Sequence, residues 1–440
     1  MDRIQDHIYA LLSSLPCSQG ISSIKLNGRT IQIEKLLGEG GFSFVYLARD
    51  KSSGREFALK KIRCSHGSES FTLAMKEVEA MRRFRSPNII RILDSAVIQE
   101  SDHSFGFGNL PEGQGGGSDG RTVYLFLPYY PLGNIQDAIN RHAVNGTRYS
   151  ERDMLQLFLG TCRAVEAMHR YRLPDQSSAG SSRRGGQPSK KKMMSSSNGQ
   201  EDEQDNEPLI EGAATNGSSD PFGIESDPES DGDDEDGSAR YPPKPSKGKG
   251  REIEQPAFGG EGLEGGKGGE LVPYAHRDIK PGNIMVSQGS SAEGDALHVP
   301  ILMDFGSAMK ARVVIASRRE AVAEQDLAAE HSTLPYRAPE LFDVKTDSTL
   351  TEAVDIWSLG CTLYAMAYHY SPFETPSMLE QGASTALAVL NNKWDFPKND
   401  QIYSEGFKEI VRRCLVGEPD KRASIEEVIA LTDRALERIV

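Results

Sequence analysis

The stretch Tyr274–Val286, Y-A-H-R-D-I-K-P-G-N-I-M-V, leaves this chain few folds to choose from. An apolar run follows and ends in Met303-Asp304-Phe305-Gly306. Within it a proton acceptor, a cation and hard oxygen donors stand at short spacing: Asp278, Lys280 two residues on, Asn283 five on, and Asp304 one strand pair further. Asp278 is suited to accept a hydroxyl proton, and Lys280 to reach the same transferring group. Asn283 and Asp304 offer oxygens of the kind Mg²⁺ takes when it bridges phosphates. A polar turn between two strands would account for H-R-D alone, but not for the whole string followed by D-F-G.

A phosphoryl-transfer site needs a cradle for the nucleotide, and the first third of the chain supplies one. Thr30–Leu37 reads as a strand that runs into Gly38-Glu39-Gly40-Gly41-Phe42-Ser43-Phe44-Val45. Gly38 and Gly40 let backbone approach phosphates closely. The same letters open a dinucleotide fold when a helix follows. Here Val45–Leu47 and Phe57–Lys60 read instead as two strands around the polar turn Asp50–Gly54, which makes a hairpin. Lys60 closes an apolar strand, where an edge lysine pointing to water is the ordinary alternative. As a phosphate ligand it would need a carboxylate on a nearby helix. Ser70–Phe84 carries Met75, Val78, Met81 and Phe84 on one stripe, with Glu77 and Glu79 as the two candidates. Arg91–Gln99 and Thr122–Leu127 read as further strands, separated by a Gly- and Ser-rich surface loop over 100–121. Ser150–Tyr171 reads as a long helix capped by Ser150, with Asp153 at the third position.

These strings together resemble the eukaryotic protein-kinase fold, an α+β architecture with a small β-rich N-lobe and a larger helical C-lobe. The resemblance implies ATP and Mg²⁺ as cofactors and proteins as substrates. It implies Asp278 and Lys280 as catalytic residues, and Asn283 and Asp304 as metal ligands. Around the nucleotide it implies Leu37, Gly38, Gly40, Val45, Ala58 and Lys60, with Glu77 chosen over Glu79 by its distance from Pro87-Asn88-Ile89. Leu127 takes the gatekeeper position, Pro128 offers adenine a carbonyl, and Tyr130 keeps the backbone N–H. The domains expected are an N-terminal segment over 1–30, an N-lobe over 31–128, and a C-lobe split between 129–171 and 273–440.

The segment 172–272 breaks the pattern and is expected to be disordered. It has two basic patches, Ser, Gly and Pro clusters, and almost no periodic apolar face. Residues 201–236 hold fifteen Asp or Glu and no Lys or Arg, so a net charge of −14 describes this block and not the remainder. A general attraction to nucleic acid is therefore not expected. Lengthening a loop roughly twentyfold costs only about 2–3 kcal/mol of closure entropy, so the fold should tolerate the insert. Ser226 and Ser230, each with an acid three residues on, are expected substrates for an acid-directed kinase; the insert itself reads first as a spacer, with binding of partner proteins as the alternative.

After D-F-G the activation segment runs to Ala338-Pro339-Glu340 and is helix-prone from Ser317 to Glu330. The usual phosphoacceptor position, eleven before Glu340, is Ala329. Activity without phosphorylation of this segment is expected, with Glu330 or Asp326 as partner for Arg277. Thr333 falls where kinases place a threonine against the catalytic Asp and Lys, which points to serine and threonine acceptors. Asp355 resembles the aspartate that pins the catalytic loop, and Arg422 the buried partner of Glu340. A scaffold without chemistry would lack one of Lys60, Asp278 or Asp304. A small-molecule kinase of related fold would lack A-P-E and Arg422.

More pointed strings narrow the family. Leu37–Phe44, Tyr274-Ala275, Gly306-Ser307, Ser332–Phe342 and Asp355–Cys361 resemble the Numb-associated kinases, in particular their small myristoylated and palmitoylated Ser/Thr branch. That implies a constitutively active enzyme linked to Golgi, vacuole or vesicle traffic. Residue 2 is Asp and not Gly, so N-myristoylation is not expected, and Cys17, beside a short amphipathic helix expected from Ile4, Ile8, Leu11 and Leu12, is the palmitoylation candidate. A single acyl chain anchors weakly, so the expectation is a cytoplasmic protein with weak peripheral membrane association. No run of eighteen apolar residues exists, and the five scattered cysteines show neither metal-ligand spacing nor a disulfide framework.

Overall fold

Alternation in the first strands decides which side chains look toward the site. The computed structural model describes residues 23–40, 43–64, 67–100, 120–173, 269–290, 296–398 and 400–439. Six antiparallel strands form one sheet in the order β1-β2-β3-β4-β6-β5. They are β1 (Ser23–Leu26), β2 (Arg29–Gly40), β3 (Ser43–Asp50), β4 (Glu56–Cys64), β5 (Asp94–Glu100) and β6 (Gly120–Leu127). Phe57, Leu59, Tyr124 and Phe126 pack with Leu26 and Ile31 on one face. Ala58, Ile62, Val123, Leu125 and Leu127 join the main core on the other. Because strand side chains alternate, Lys60 shares the face of Ala58 and Ile62. That face meets helix α1 (Gly67–Arg83), whose Ala74, Val78 and Met81 are buried against it. β2 pairs antiparallel with β3, with Gly40 opposite Ser43. No helix follows the glycines, which removes the dinucleotide alternative.

The helical part is built on α2 (Ile135–Asn145), α3 (Glu151–His169) and α5 (Ala353–Tyr368). Ser150 caps α3 by accepting from the Asp153 N–H, a contact of about 1 kcal/mol. α5 is buried along almost its whole length, as an all-round apolar helix must be. Gly360 allows it to approach the later helix α8 (Glu405–Cys414), since a Cβ there would come within 2.5 Å of the Cys414 Cβ. The remaining helices are α4 (Arg318–His331), α6 (Pro376–Glu380), α7 (Thr385–Leu390) and α9 (Ile425–Arg438), the last opened by a Ser424–Glu427 capping box. No described helix is long and apolar enough to cross a membrane.

Short strand pairs carry the site itself. β7 (Tyr274–Ala275) pairs with β10 (Met309–Lys310), β8 (Ile284–Ser290) with β9 (Ala296–Leu302), and β11 (Val313–Ile315) with β12 (Ser348–Leu350). Residues 1–176 and 259–440 form one unit. The other, 177–258, lies outside the described residues, as do Cys17, the N-terminal helix expectation, most of the 100–121 loop, Ser226 and Ser230. Of the segment 172–272 expected to lack order, the flanks are paired. Arg172 and Leu271 form an antiparallel bridge, and the Leu173 N–H reaches the Glu270 carbonyl at 2.9 Å. A Cβ at Gly269 would strike the Leu173 backbone, so this root requires glycine. Composition hid these flanks because backbone hydrogen bonds, not apolar side chains, order them.

Candidate active site

The β8–β9 hairpin brings Asn283 and Asp304 together. Ile284 lies opposite Leu302, so the residue before one strand and the turn after the other share an end, and the Met303 N–H donates to the Asn283 carbonyl at 2.9 Å. Asn283 Nδ2 donates to the Asp278 carbonyl at 2.8 Å and to Asp278 Oδ2 at 2.9 Å. The side-chain oxygen Oδ1 of Asn283 is thereby left for a cation. Asp304 sits in the left-handed region at φ 64°, a conformation that costs about 1–3 kcal/mol in a non-glycine residue. Phe305 behind it is buried between Phe84 and His276, which holds the turn.

Both oxygens of Asp278 are occupied. Oδ1 accepts from the Thr333 N–H at 2.9 Å and the Thr333 hydroxyl at 2.7 Å. Oδ2 accepts from Lys280 Nζ at 2.8 Å, and Lys280 also donates to Thr333 Oγ1 at 2.6 Å. Beneath this loop lies Asp355 on α5, fully buried. It accepts from the His276 and Arg277 N–H groups, each at 2.8 Å, and faces His169 Nε2 at 3.0 Å. Arg277 has φ 67°, and the Asp355 clamp fixes that strained backbone. Burial alone would raise the Asp355 carboxyl, but His169, His276 and the Arg277 N–H outweigh it and hold it below the ordinary range.

From the sheet side, Lys60 Nζ lies 2.6 Å from Glu77 Oε1 and 3.7 Å from Asp304 Oδ1. Glu79 is instead half a turn away and pairs with Arg83 at the surface. Burial pulls the Lys60 ammonium down, but Glu77 and Asp304 outweigh it and raise it; burial also pushes the Glu77 carboxyl up against the pull of Lys60. The two tendencies oppose each other on Glu77. We take the pair as ammonium and carboxylate, because Lys60 faces two acids while Glu77 lies against the cation. Burial likewise raises Asp304, yet Lys60, His276 and Lys280 bring it below the usual carboxylate range.

The remaining residues expected at the nucleotide lie along β2, β3, β4 and β6 and just past the end of β6. Val45 lies opposite Lys60, Ala58 opposite Leu127, and Gly38 opposite Val45 across their strands. Leu127 is buried at the end of β6, Pro128 and Tyr130 are half-buried just beyond it, Leu37 is exposed, and Gly40 closes β2. Burial pushes the Tyr130 hydroxyl up to about 12.

Residues 31–173 and 273–432, well over half of the chain, match the protein kinase domain family. The chain belongs to the protein kinase family. The kinase is 31% identical over 408 residues to serine/threonine-protein kinase ppk13 of Schizosaccharomyces pombe, covering 93% of this chain and 91% of that protein. It is 30% identical over 436 residues to serine/threonine-protein kinase ENV7 of Saccharomyces cerevisiae, covering 96% and 97%. With human serine/threonine-protein kinase 16 it shares 26% over 409 residues, covering 93% and 90%. The narrower resemblance to the small Ser/Thr branch of the Numb-associated kinases stands with these relatives.

One partner differs from expectation. Arg277 does not meet Glu330 or Asp326; its Nη1 lies 2.9 Å from Glu324 Oε2. The inner face of α4 runs through Ala321, Glu324 and Ala328 at helical spacing, which turns Asp326 and Glu330 to solvent. Ala329, at the usual acceptor position, is also on the outer face. Sequence reading missed His169 too, although it continues the buried stripe four residues after Val165 and so carried a signal. It also missed Arg337, whose guanidinium holds Ser332 and the Ala329 carbonyl. Ser332 and Ala329 lie too far from Arg337 in the turn for spacing to reveal that contact.

Proposed function

We propose that this kinase transfers the γ-phosphoryl group of ATP to serine and threonine hydroxyls of proteins, and that it does so without phosphorylation of its own activation segment. The arrangement of Asp278 carries this reading. Its two oxygens are aimed by Thr333, Lys280 and Asn283, so an incoming hydroxyl meets a carboxylate already oriented to take its hydrogen bond. Lys280 sits beside that carboxylate, where it offsets charge developing on the transferred group. Lys60, fixed by Glu77, is placed for the α- and β-phosphates, and Gly38 and Gly40 allow β2 and β3 to lie close over them.

Asn283 and Asp304 fit Mg²⁺: one amide oxygen and one carboxylate is the small protein share that this ion takes alongside phosphate oxygens. When bound it would neutralise phosphate charge. The segment that presents Thr333 is held by the Arg277–Glu324 pair, which supports activity without an added phosphate. The resemblance to the Numb-associated kinases supports a cytoplasmic enzyme working at Golgi, vacuolar or vesicle membranes, with weak attachment of its own.

The test is ATP-dependent autophosphorylation of the full chain beside Asp304→Ala and Asp278→Ala, with sites mapped by mass spectrometry. Modified serines or threonines in the wild type alone are expected. Full transfer by Asp278→Ala would overturn the reading.

A further inference from the structure

The two ends of the activation segment touch through one hydroxyl. Ser307 follows D-F-G directly, and its Oγ donates to the His331 carbonyl at 2.6 Å, across 24 residues. His331 is the last residue of α4, where the final carbonyls have no partner within the helix. Others there are met from nearby: Ala328 by the Ser332 N–H at 3.0 Å and hydroxyl at 2.6 Å, and Ala329 by Arg337 at 3.3 Å. His331 alone is met from the far end of the segment.

That carbonyl has a particular position. It belongs to the rigid peptide plane that leads into Ser332, so fixing the oxygen also aims the Ser332 N–H. Ser332 in turn has little freedom, because Arg337 holds its hydroxyl and its carbonyl, both at 2.8 Å. The next residue is Thr333, whose N–H and hydroxyl orient Asp278. On its other side Ser307 closes the short turn Phe305–Ser307 that begins at Asp304. One hydroxyl therefore spans from the turn bearing Asp304 to the segment that aims Asp278.

We propose that Ser307 is a positioning residue for phosphoryl transfer: its hydroxyl holds the His331 carbonyl, and through it Thr333 against Asp278, while the Asp304–Gly306 turn is seated. The inference rests on the kinase reading and deepens it. Alignment of the proton acceptor becomes conditional on the conformation of the turn that carries the second carboxylate. Losing the bond does not remove any group that touches nucleotide, so the effect belongs in turnover and not in nucleotide affinity.

The experiment uses the full chain, MgATP and a peptide spanning its own mapped autophosphorylation site. Ser307→Ala is expected to lower kcat about five- to tenfold, the worth of one hydrogen bond, with KM for MgATP within about twofold of wild type. Ser307→Thr, which keeps the hydroxyl, is expected to retain turnover. Ser307→Ala added to Thr333→Ala is expected to cost less than it does in the wild type, since only the backbone N–H of residue 333 is then left to carry the route to Asp278. Should thermal melting show Ser307→Ala unfolded, Ser307→Cys, similar in size and a weak donor, carries the same expectation. Wild-type kcat in Ser307→Ala, a loss confined to KM for MgATP, equal losses in Ala and Thr, or additivity with Thr333→Ala would each overturn the proposal. A wild type that transfers nothing would instead overturn the kinase reading beneath it.

Discussion

Arg277 and Glu324 meet at 2.9 Å, forty-seven residues apart, with the arginine side chain only 5% exposed. The carboxylate neutralises a buried cation beside the catalytic loop and ties α4 to it. Leaving one partner of such a pair alone costs about 3–5 kcal/mol, enough to release the segment locally. Glu324→Ala is therefore expected to lose at least about tenfold in kcat, with Glu324→Asp between it and wild type. Phosphatase treatment of the wild type is expected to leave its rate unchanged. Steady-state kinetics on treated and untreated protein check both; abolition of activity by phosphatase would refute the role given to Glu324.

Lys60 is held from two sides, by Glu77 at 2.6 Å and Asp304 at 3.7 Å. Lys60→Met removes a charged donor from a preorganised site and is expected to lower kcat about 10²–10³-fold. Glu77→Gln keeps the shape of its side chain but releases the lysine, so a smaller loss of about tenfold is expected, with a rise in KM for ATP. Kinetics at varied ATP distinguish these outcomes, and a Glu77→Gln enzyme equal to wild type would show that Lys60 needs no helper.

How much of this site could be read from residues alone depended on the range of each contact. Asp278, Lys280 and Asn283 lie within six residues, so a local turn already constrains their relation. Lys60 and Glu77 belong to a strand and a helix whose periods put one charge on each facing surface. Asp326 and Glu330 were expected in place of Glu324 because the choice depends on the phase of α4, and its weak apolar stripe does not declare which face is packed. His169 was hidden by its neighbours: an apolar stripe predicts burial, but not that a polar member of it will meet Asp355. The Ser307–His331 contact had no local signature at all, since a single hydroxyl finds a carbonyl across the whole segment.

Asp355 ties stability to acidity. Burial would raise its carboxyl, but His169, His276 and the Arg277 N–H more than offset this and lower it in the fold. As pH falls, the unfolded chain takes up the proton first, near the ordinary Asp range of about 4. The contribution of this group is thus fully present above that range and is lost as pH drops through the lower folded value. Asp355→Asn is expected to be about 2–4 kcal/mol less stable at neutral pH. The gap to wild type should narrow as pH falls below about 4. Urea unfolding of both proteins between about pH 3 and 7 measures it; a gap independent of pH would mean that Asp355 acts by packing alone.

Glu340 and Arg422 form a two-pronged pair, Nη1 to Oε1 at 2.8 Å and Nη2 to Oε2 at 3.0 Å. The guanidinium also donates to the Ala353 carbonyl at 2.6 Å and the Val416 carbonyl at 2.9 Å, and stacks 5.2 Å over Trp357. It therefore joins the A-P-E turn to the start of α5 and to the loop between α8 and α9. Lysine cannot reproduce that planar fork, so Arg422→Lys is expected to behave nearly as badly as Arg422→Met. Each single change, Glu340→Gln or Arg422→Met, leaves a buried polar group unmatched and is expected to cost about 3–5 kcal/mol. Removing both leaves no orphaned charge, so the double variant should be less destabilised than the two losses added together, by about 1–3 kcal/mol. Urea midpoints for the four proteins close the cycle. Strict additivity would mean that the two side chains stabilise the fold through separate neighbours and not through each other.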